Sequence, residues 1–199
     1  MKQSKLVLGS SSRYRAELLA RLGVPFSQES PEVDERAFDG EFAALGPAEF
    51  ALRLARAKAE ALIAAGGDRY LLCADQVGVH PDGGLLVKPE TEERGVEQLM
   101  GMAGRTHELV NGLVLLCEGT GQSWSHTDRQ ELTMRPFDRA EAEAYVREFR
   151  PLDCAGGYRI EDAGIRLFDR IRSDDYTGII GLPLLATARL LREAGLLRP

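Results

Sequence analysis

The stretch Tyr70-Leu71-Leu72-Cys73-Ala74 is a continuous apolar run that ends on an aspartate, Asp75. It has the length and bulk of a β-strand and shows no polar face. A strand of that kind must be covered on both sides, which predicts an α/β sheet layered between helices. A carboxylate set directly after such a run is costly unless it is paired, bound to metal or facing a cleft. In open α/β sheets, ligands bind outside the carboxyl ends of the strands. Asp75, with Gln76 beside it, is therefore a candidate site. A turn aspartate capping the next segment is the competing reading, and for Asp75 taken alone the better one.

Two basic residues change that balance. The segment Pro47 to Ala65 reads as a helix, with Pro at its start and Gly66-Gly67 as its stop. Glu49, Arg53, Arg56 and Glu60 share one face, while Phe50, Leu54, Ala57 and Ala61 define the other. Lys58 falls between Leu54 and Leu62, away from the other charges. A lysine there either snorkels past its neighbours or points at an anion. Near the start of the chain, Leu6-Val7-Leu8 reads as a strand. Gly9 and Ser10-Ser11-Ser12 form a loop, and a helix follows through Leu22 to a stop at Gly23. Arg15 opens the stripe Arg15, Leu18, Leu19, Leu22, so it points from the first helical turn toward the end of the preceding strand. A strand, small-residue loop and helix make a plausible phosphate cradle, because backbone N–H groups and the helix dipole favour anions. An ordinary serine N-cap is the plainer alternative.

Composition narrows the function classes. The chain has 199 residues, enough to bury a full core either as one domain or as two lobes sharing a sheet. Its net charge is −6 and no basic run stands out, which argues against nucleic-acid binding by phosphate neutralisation. No apolar stretch approaches the roughly 20 residues of a membrane span. The first residues lead straight into a strand, so a signal peptide is not expected. Cys73, Cys117 and Cys154 are odd in number and far apart, which predicts core thiols of a reducing, cytoplasmic compartment. His80, His107 and His126 have no metal-ligand spacing. A hard cation liganded by carboxylates, such as Mg²⁺, stays open.

The remainder alternates between strand and helix. Val77 to Val79 continues the strand into a turn at Pro81-Asp82-Gly83-Gly84, and Leu85-Leu86-Val87 leads back to Lys88-Pro89, returning Lys88 toward Asp75. Thr91 to Met102 reads as a helix with Thr91 as N-cap. Glu108 to Cys117 and Ser123 to Met134 read as a long hairpin. Asp138 to Phe149 is a helix capped by Asp138 with Glu141 three residues on, and Pro183 to Ala194 is the last helix. Pro31 to Glu41 is the most loop-like interior region. Its Asp34-Glu35 pair reads as a solvated loop when taken alone, with metal ligation as the other use.

Several segments together resemble one family: "LVLGSSSRYRAELLARLG", "EVDE", "LARAKA", "ADQV", "KPETEE", "MAGRTHELVNGLVLL" and "GIIGLPL". The chain resembles the Maf-type nucleotide pyrophosphatases, also called septum-formation-inhibitor proteins, over nearly its whole length. The resemblance implies an α/β fold with a long, mixed, twisted sheet, flanking helices and two lobes around a cleft, similar to the inosine-triphosphate pyrophosphatases. It implies cleavage of a nucleoside triphosphate to monophosphate and pyrophosphate with a divalent metal, Mg, Mn or Co, in a protein that can form a homodimer. It places the catalytic Asp on Asp75, the loop Glu that shares the metal on Glu35, and phosphate-binding residues on Ser10, Arg15, Lys58 and Lys88.

Within that family the chain resembles the 7-methyl-GTP pyrophosphatase subgroup, through Tyr14 in the serine loop, Gln76 after Asp75 and Glu161 in "CAGGYRIEDAGIRLF". These three are expected to bind the base. An aromatic face attracts a cationic 7-methylguanine, and a carboxylate accepts from its N1–H and amine. Arg13 in place of a loop proline, Val87 before Lys88 and Asp162 after Glu161 depart from the family pattern. A pyrimidine-type or broad nucleotide pyrophosphatase is the first alternative, and a non-enzymatic regulator of cell division is the second.

Overall fold

The protein is described by a computed structural model over residues 6–64 and 67–198. Its elements run β1 (Leu6–Gly9), α1 (Arg13–Ala20), β2 (Phe26–Glu29), α2 (Phe42–Ala61), β3 (Tyr70–Val79), β4 (Leu85–Leu86), α3 (Glu92–Met102), β5 (Thr106–Cys117), β6 (Ser123–Met134), α4 (Arg139–Phe149), β7 (Phe168–Arg172), α5 (Thr177–Ile180) and α6 (Leu184–Glu193). The strands form a mixed sheet in the order β2-β1-β3-β5-β6-β7, with β4 paired to β3. β1 is parallel to both β2 and β3, whereas β4 is antiparallel to β3 and β7 to β6. The chain divides into two compact units, one of residues 1–76, 111–128 and 175–199, the other of 77–110 and 129–174. No helix among the described residues is long and apolar enough to cross a membrane.

The first unit has the layered build that the apolar run at residues 70–74 demands. Alternate residues of a strand point to opposite faces. Leu72 and Ala74, with Leu6, Leu8, Leu113 and Leu115, face Leu18 and Leu19 of α1 and Leu190 and Leu191 of α6. Cys73 and Val114 face the other way, against Leu52, Ala55 and Ala59 of α2. Helix α2 approaches β5 closely. A Cβ on Gly112 would stand 2.3 Å from the backbone carbon of Ala51, so only glycine admits this contact. Lys58 lies seven residues after Ala51 on the same face, and the close contact therefore presses it onto the sheet.

Three expectations need correction here. Asp75 is not at the end of its strand, since β3 continues to Val79. The strand that ends is its neighbour: β1 stops at Gly9, opposite Cys73, and Asp75 lies beyond that edge. The predicted helix from Pro47 begins earlier, at Phe42, with a kink where Gly46 takes φ 72°. Its regular part does start at Pro47, whose missing N–H suits a first turn. It ends at Ala61, which is exposed rather than inward-facing; the predicted end at Ala65 and the stop at Gly66 lie outside the described residues. Finally, Glu35–Glu41 forms a 3-10 helix within the segment read as loop.

In the second unit, α3 and α4 pack with Gly95 against Val146, where an added Cβ would meet the valine methyls at 3.5 Å. Thr91 and Asp138 cap these helices by accepting from the amides of Arg94 and Glu141, as their sequence signatures predict. His107 and Tyr158 are buried against Phe168, and His107 Nε2 lies 2.8 Å from the Tyr158 hydroxyl.

Candidate active site

The parity of β3 sorts the candidate residues. Asp75 shares a face with Cys73 and is directed toward α2, while Gln76 shares a face with Ala74 on the side of α1 and α6. On the α2 side, the Lys58 ammonium pairs with the Asp75 carboxylate, and both side chains are over nine-tenths buried. The same ammonium lies 2.7 Å from Glu35 Oε1 at the start of the 3-10 helix. Lys58 thus neither snorkels nor faces an empty space; it is held between two carboxylates. Glu35 is more open, with about 45% of its side chain exposed, so the ion triad has one wet end and one dry end.

The charge state of Asp75 follows from this setting. Burial pushes its carboxyl above the ordinary range. The Lys58 and Arg15 cations oppose that rise, and the Glu35 carboxylate adds to it.

On the other side, the loop between β1 and α1 is tightly braced. Ser12 caps α1 by accepting from the Arg15 amide at 3.4 Å. Ser10 is buried, and its Oγ accepts from the Ser12 amide at 3.1 Å and from Arg15 Nη1 at 3.4 Å. Gln28 of β2 donates to the Ser10 carbonyl at 2.7 Å. Arg15 Nε donates to the Gly181 carbonyl at 2.9 Å. Gln76 Nε2 donates to the Gly178 carbonyl at 2.7 Å and the Ile179 carbonyl at 3.2 Å. The amide nitrogen of Gln76 is therefore committed to the protein, and its carbonyl oxygen is the end turned away from that loop.

The structure brings Ser10, Arg15, Glu35, Lys58, Asp75 and Gln76 into one unit through these contacts. Tyr14 belongs to the same unit, and the guanidinium of Arg13 stands 4.7 Å over its ring centroid and donates to its hydroxyl at 2.9 Å. Lys88 and Glu161 belong to the other unit. Lys88 is exposed two residues after β4, and Glu161 is exposed in the turn before the 3-10 helix Gly164–Leu167. Asp162 does not stand as a bare extra charge beside Glu161, because Arg159 Nη1 donates to it at 2.9 Å.

Reading the sequence missed the other polar groups around these residues. Asn111 is fully buried in β5 and donates to the Gly178 carbonyl at 2.9 Å; an asparagine inside the apolar run Leu109–Leu116 was the available signal. Asp175 and Thr177, buried before α6, carried no such signal, since polar residues crowd that segment.

A divalent cation is compatible with the donor set, in a limited way. Among the described residues no group of three or more His, Cys, Asp or Glu could hold a metal. Asp75 and Glu35 do supply hard carboxylate oxygens, both in contact with the Lys58 ammonium. That suits a Mg²⁺-like ion, which is typically held by one or two carboxylates and completed by substrate phosphates and water.

Comparison with known proteins adds an independent line. The family described as "Maf-like protein" matches residues 5–194 of the chain. A 7-methyl-GTP pyrophosphatase of Bdellovibrio bacteriovorus is 41% identical over 197 residues, covering 98% of this chain and 100% of that protein. One from Pseudomonas putida is 41% identical over 194 residues, with 98% of each chain covered. A third, from Cupriavidus metallidurans, is 43% identical over 190 residues, covering 96% and 93% respectively.

Proposed function

This chain belongs to the Maf family, and on that premise we propose that it hydrolyses 7-methyl-GTP to 7-methyl-GMP and pyrophosphate. The observation that supports this best is the buried Lys58–Asp75 pair with Glu35 at its open end, next to Arg15. A carboxylate kept dry among cations has a structural cost. Such a cost is often found where a protein needs a base and a counter-charge for anionic phosphates.

In the mechanism we propose, a water oxygen attacks the α-phosphorus and the bond from that phosphorus to the bridging oxygen of the β-phosphate breaks. Asp75 accepts the proton of the attacking water. Burial raises its proton affinity, the direction that strengthens a base. Lys58 holds the Asp75 carboxylate in place between turnovers and turns one of its N–H donors to the phosphates when substrate enters. Arg15 and the Ser10 hydroxyl bind phosphate oxygens, and Lys88 neutralises charge on the departing pyrophosphate. Asp75 and Glu35 would hold the divalent cation, which when bound polarises phosphate oxygens and acidifies water. Tyr14 stacks on the cationic base, Glu161 accepts its N1–H and amine protons, and Gln76 offers its carbonyl oxygen. With such a nucleotide as substrate, we infer a cytoplasmic location.

Pyrophosphate release from 7-methyl-GTP, GTP, dTTP and UTP, with Mg²⁺, Mn²⁺ or Co²⁺ and with EDTA, tests this reading. We expect 7-methyl-GTP to be the best substrate and EDTA to abolish turnover. Preference for dTTP or UTP overturns the base assignment, and no release from any nucleotide overturns the enzymatic one.

A further inference from the structure

Helix α6 has no cap of its own: its N-cap residue is Pro183, whose side chain accepts nothing. The missing acceptors come from upstream. Asp175 Oδ2 accepts from the Leu185 amide at 2.7 Å, and Thr177 Oγ1 accepts from the Leu184 amide at 2.8 Å. The second oxygen of Asp175 accepts from the Thr177 amide at 2.9 Å and its hydroxyl at 2.5 Å. Both side chains are buried. One carboxylate therefore ties the start of α6 to the start of the segment Thr177–Gly181.

That segment carries the carbonyls that orient the candidate site. Gly178 accepts from both Gln76 and Asn111, Ile179 from Gln76, and Gly181 from Arg15. Gly181 itself takes φ 110°, a conformation that suits glycine, and a Cβ there would stand 3.5 Å from Arg15 Nε. A simple helix cap would satisfy α6 and stop there. Here the capped segment continues directly into the acceptors of two side chains that sit at the carboxyl end of β1 and beside Asp75.

We propose that Asp175 is a positioning residue for nucleotide binding: through the Thr177–Gly181 segment it fixes the carbonyls that aim Arg15 at the phosphates and Gln76 at the base. Arg15 and Gln76 are proposed above as substrate-binding, so the inference rests on that reading. Both oxygens of Asp175 must accept, so Asp175→Asn replaces one acceptor by a donor facing an N–H and breaks the tie with little change of volume.

The test compares wild type, Asp175→Asn, Thr177→Val and Thr177→Ser. KM and kcat are measured on the best wild-type substrate, and Kd for an α,β-methylene nucleotide analogue of the same base is measured by calorimetry. Binding of the analogue is read even if the wild type proves inactive, so failure of the activity assignment is separable from failure of this one. Asp175→Asn is expected to raise KM and Kd by roughly ten-fold or more, the scale of one lost charge-assisted hydrogen bond, with kcat changed much less. The preference between 7-methyl-GTP and dTTP should shrink as Gln76 loses its register. Thr177→Val should shift KM and Kd the same way, and Thr177→Ser, which keeps the hydroxyl, should restore them. Should Asp175→Asn fail to fold, the Thr177 pair decides. A loss of melting temperature with KM, Kd and base preference all within about two-fold of wild type, or equal behaviour of the Val and Ser variants, overturns the proposal.

Discussion

Lys58 of α2 and Asp75 of β3 form an ion pair in which both side chains are almost fully removed from water. The pair exists because Gly112 lets the α2 backbone touch β5, which brings Lys58 down to the sheet. An isolated pair of this burial gains little for stability, since desolvation of both charges offsets their attraction. Its chemistry is more telling, because Asp75 is kept close to cations while burial raises its proton affinity.

Asp75→Asn should retain the fold, as Lys58 keeps Glu35 as a partner. Turnover should fall by at least the ~100-fold typical of a positioned acid–base group. Steady-state pyrophosphate release, with circular dichroism to confirm folding, checks this; near-normal turnover removes Asp75 from the mechanism.

Lys58→Met should be destabilising, even though a methionine fits an apolar helix face. It leaves the Asp75 carboxylate buried without its main partner, at a cost of roughly 3–5 kcal/mol. Without Lys58 the Asp75 carboxyl moves further up, so the folded state binds its proton more readily than the unfolded chain. The deficit should therefore be least below the ordinary aspartate range and grow as pH rises. Urea melts across pH measure it, and adding Asp75→Asn to Lys58→Met should restore most of the loss.

Base selectivity should follow charge. A cation–π contact contributes roughly 0.5–2 kcal/mol, which corresponds to about a 2- to 30-fold preference for 7-methyl-GTP over GTP. Arg13 already stands over the Tyr14 ring, so Arg13→Pro should raise this preference by leaving the ring face to the base. Glu161→Gln should lower kcat/KM for 7-methyl-GTP more than for dTTP. Parallel losses on both nucleotides would falsify the role of Glu161 in reading the base.

His107 gives the second unit a pH dependence. Burial lowers its pKa from 6.5 to about 4, with His80 adding to the effect. The unfolded chain thus takes up a proton near pH 6.5 that the folded protein refuses until about 4. Stability from this group is complete above the upper value and is lost as pH falls to the lower one, on the order of 3 kcal/mol. His107→Gln should flatten that part of the stability curve, as measured by chemical denaturation at stepped pH.

The sequence by itself determined most of the helices, the central strands and the choice of candidate residues. Periodicity and capping signals located α1, α3, α4 and α6, and the unbroken apolar run at residues 70–74 required helices on both faces of the sheet. These are local properties, because a strand's parity and a helix's stripe are set by neighbours a few residues away. Short strands such as β2 and β7, with half-exposed polar sequences, had no such signature and formed only against a partner strand. Asp75 was singled out for standing at the end of its strand, and only the tertiary structure showed that β1, not β3, is the strand that ends there. The partners of each charged group were also tertiary. Lys58 meets Glu35 and Asp75 across 23 and 17 positions, and Arg15 meets Gly181 across 166. Hydrogen bonds and ion pairs act over a few ångströms of space, and the distance in space between residues so far apart along the chain is decided only when the sheet and its helices have packed.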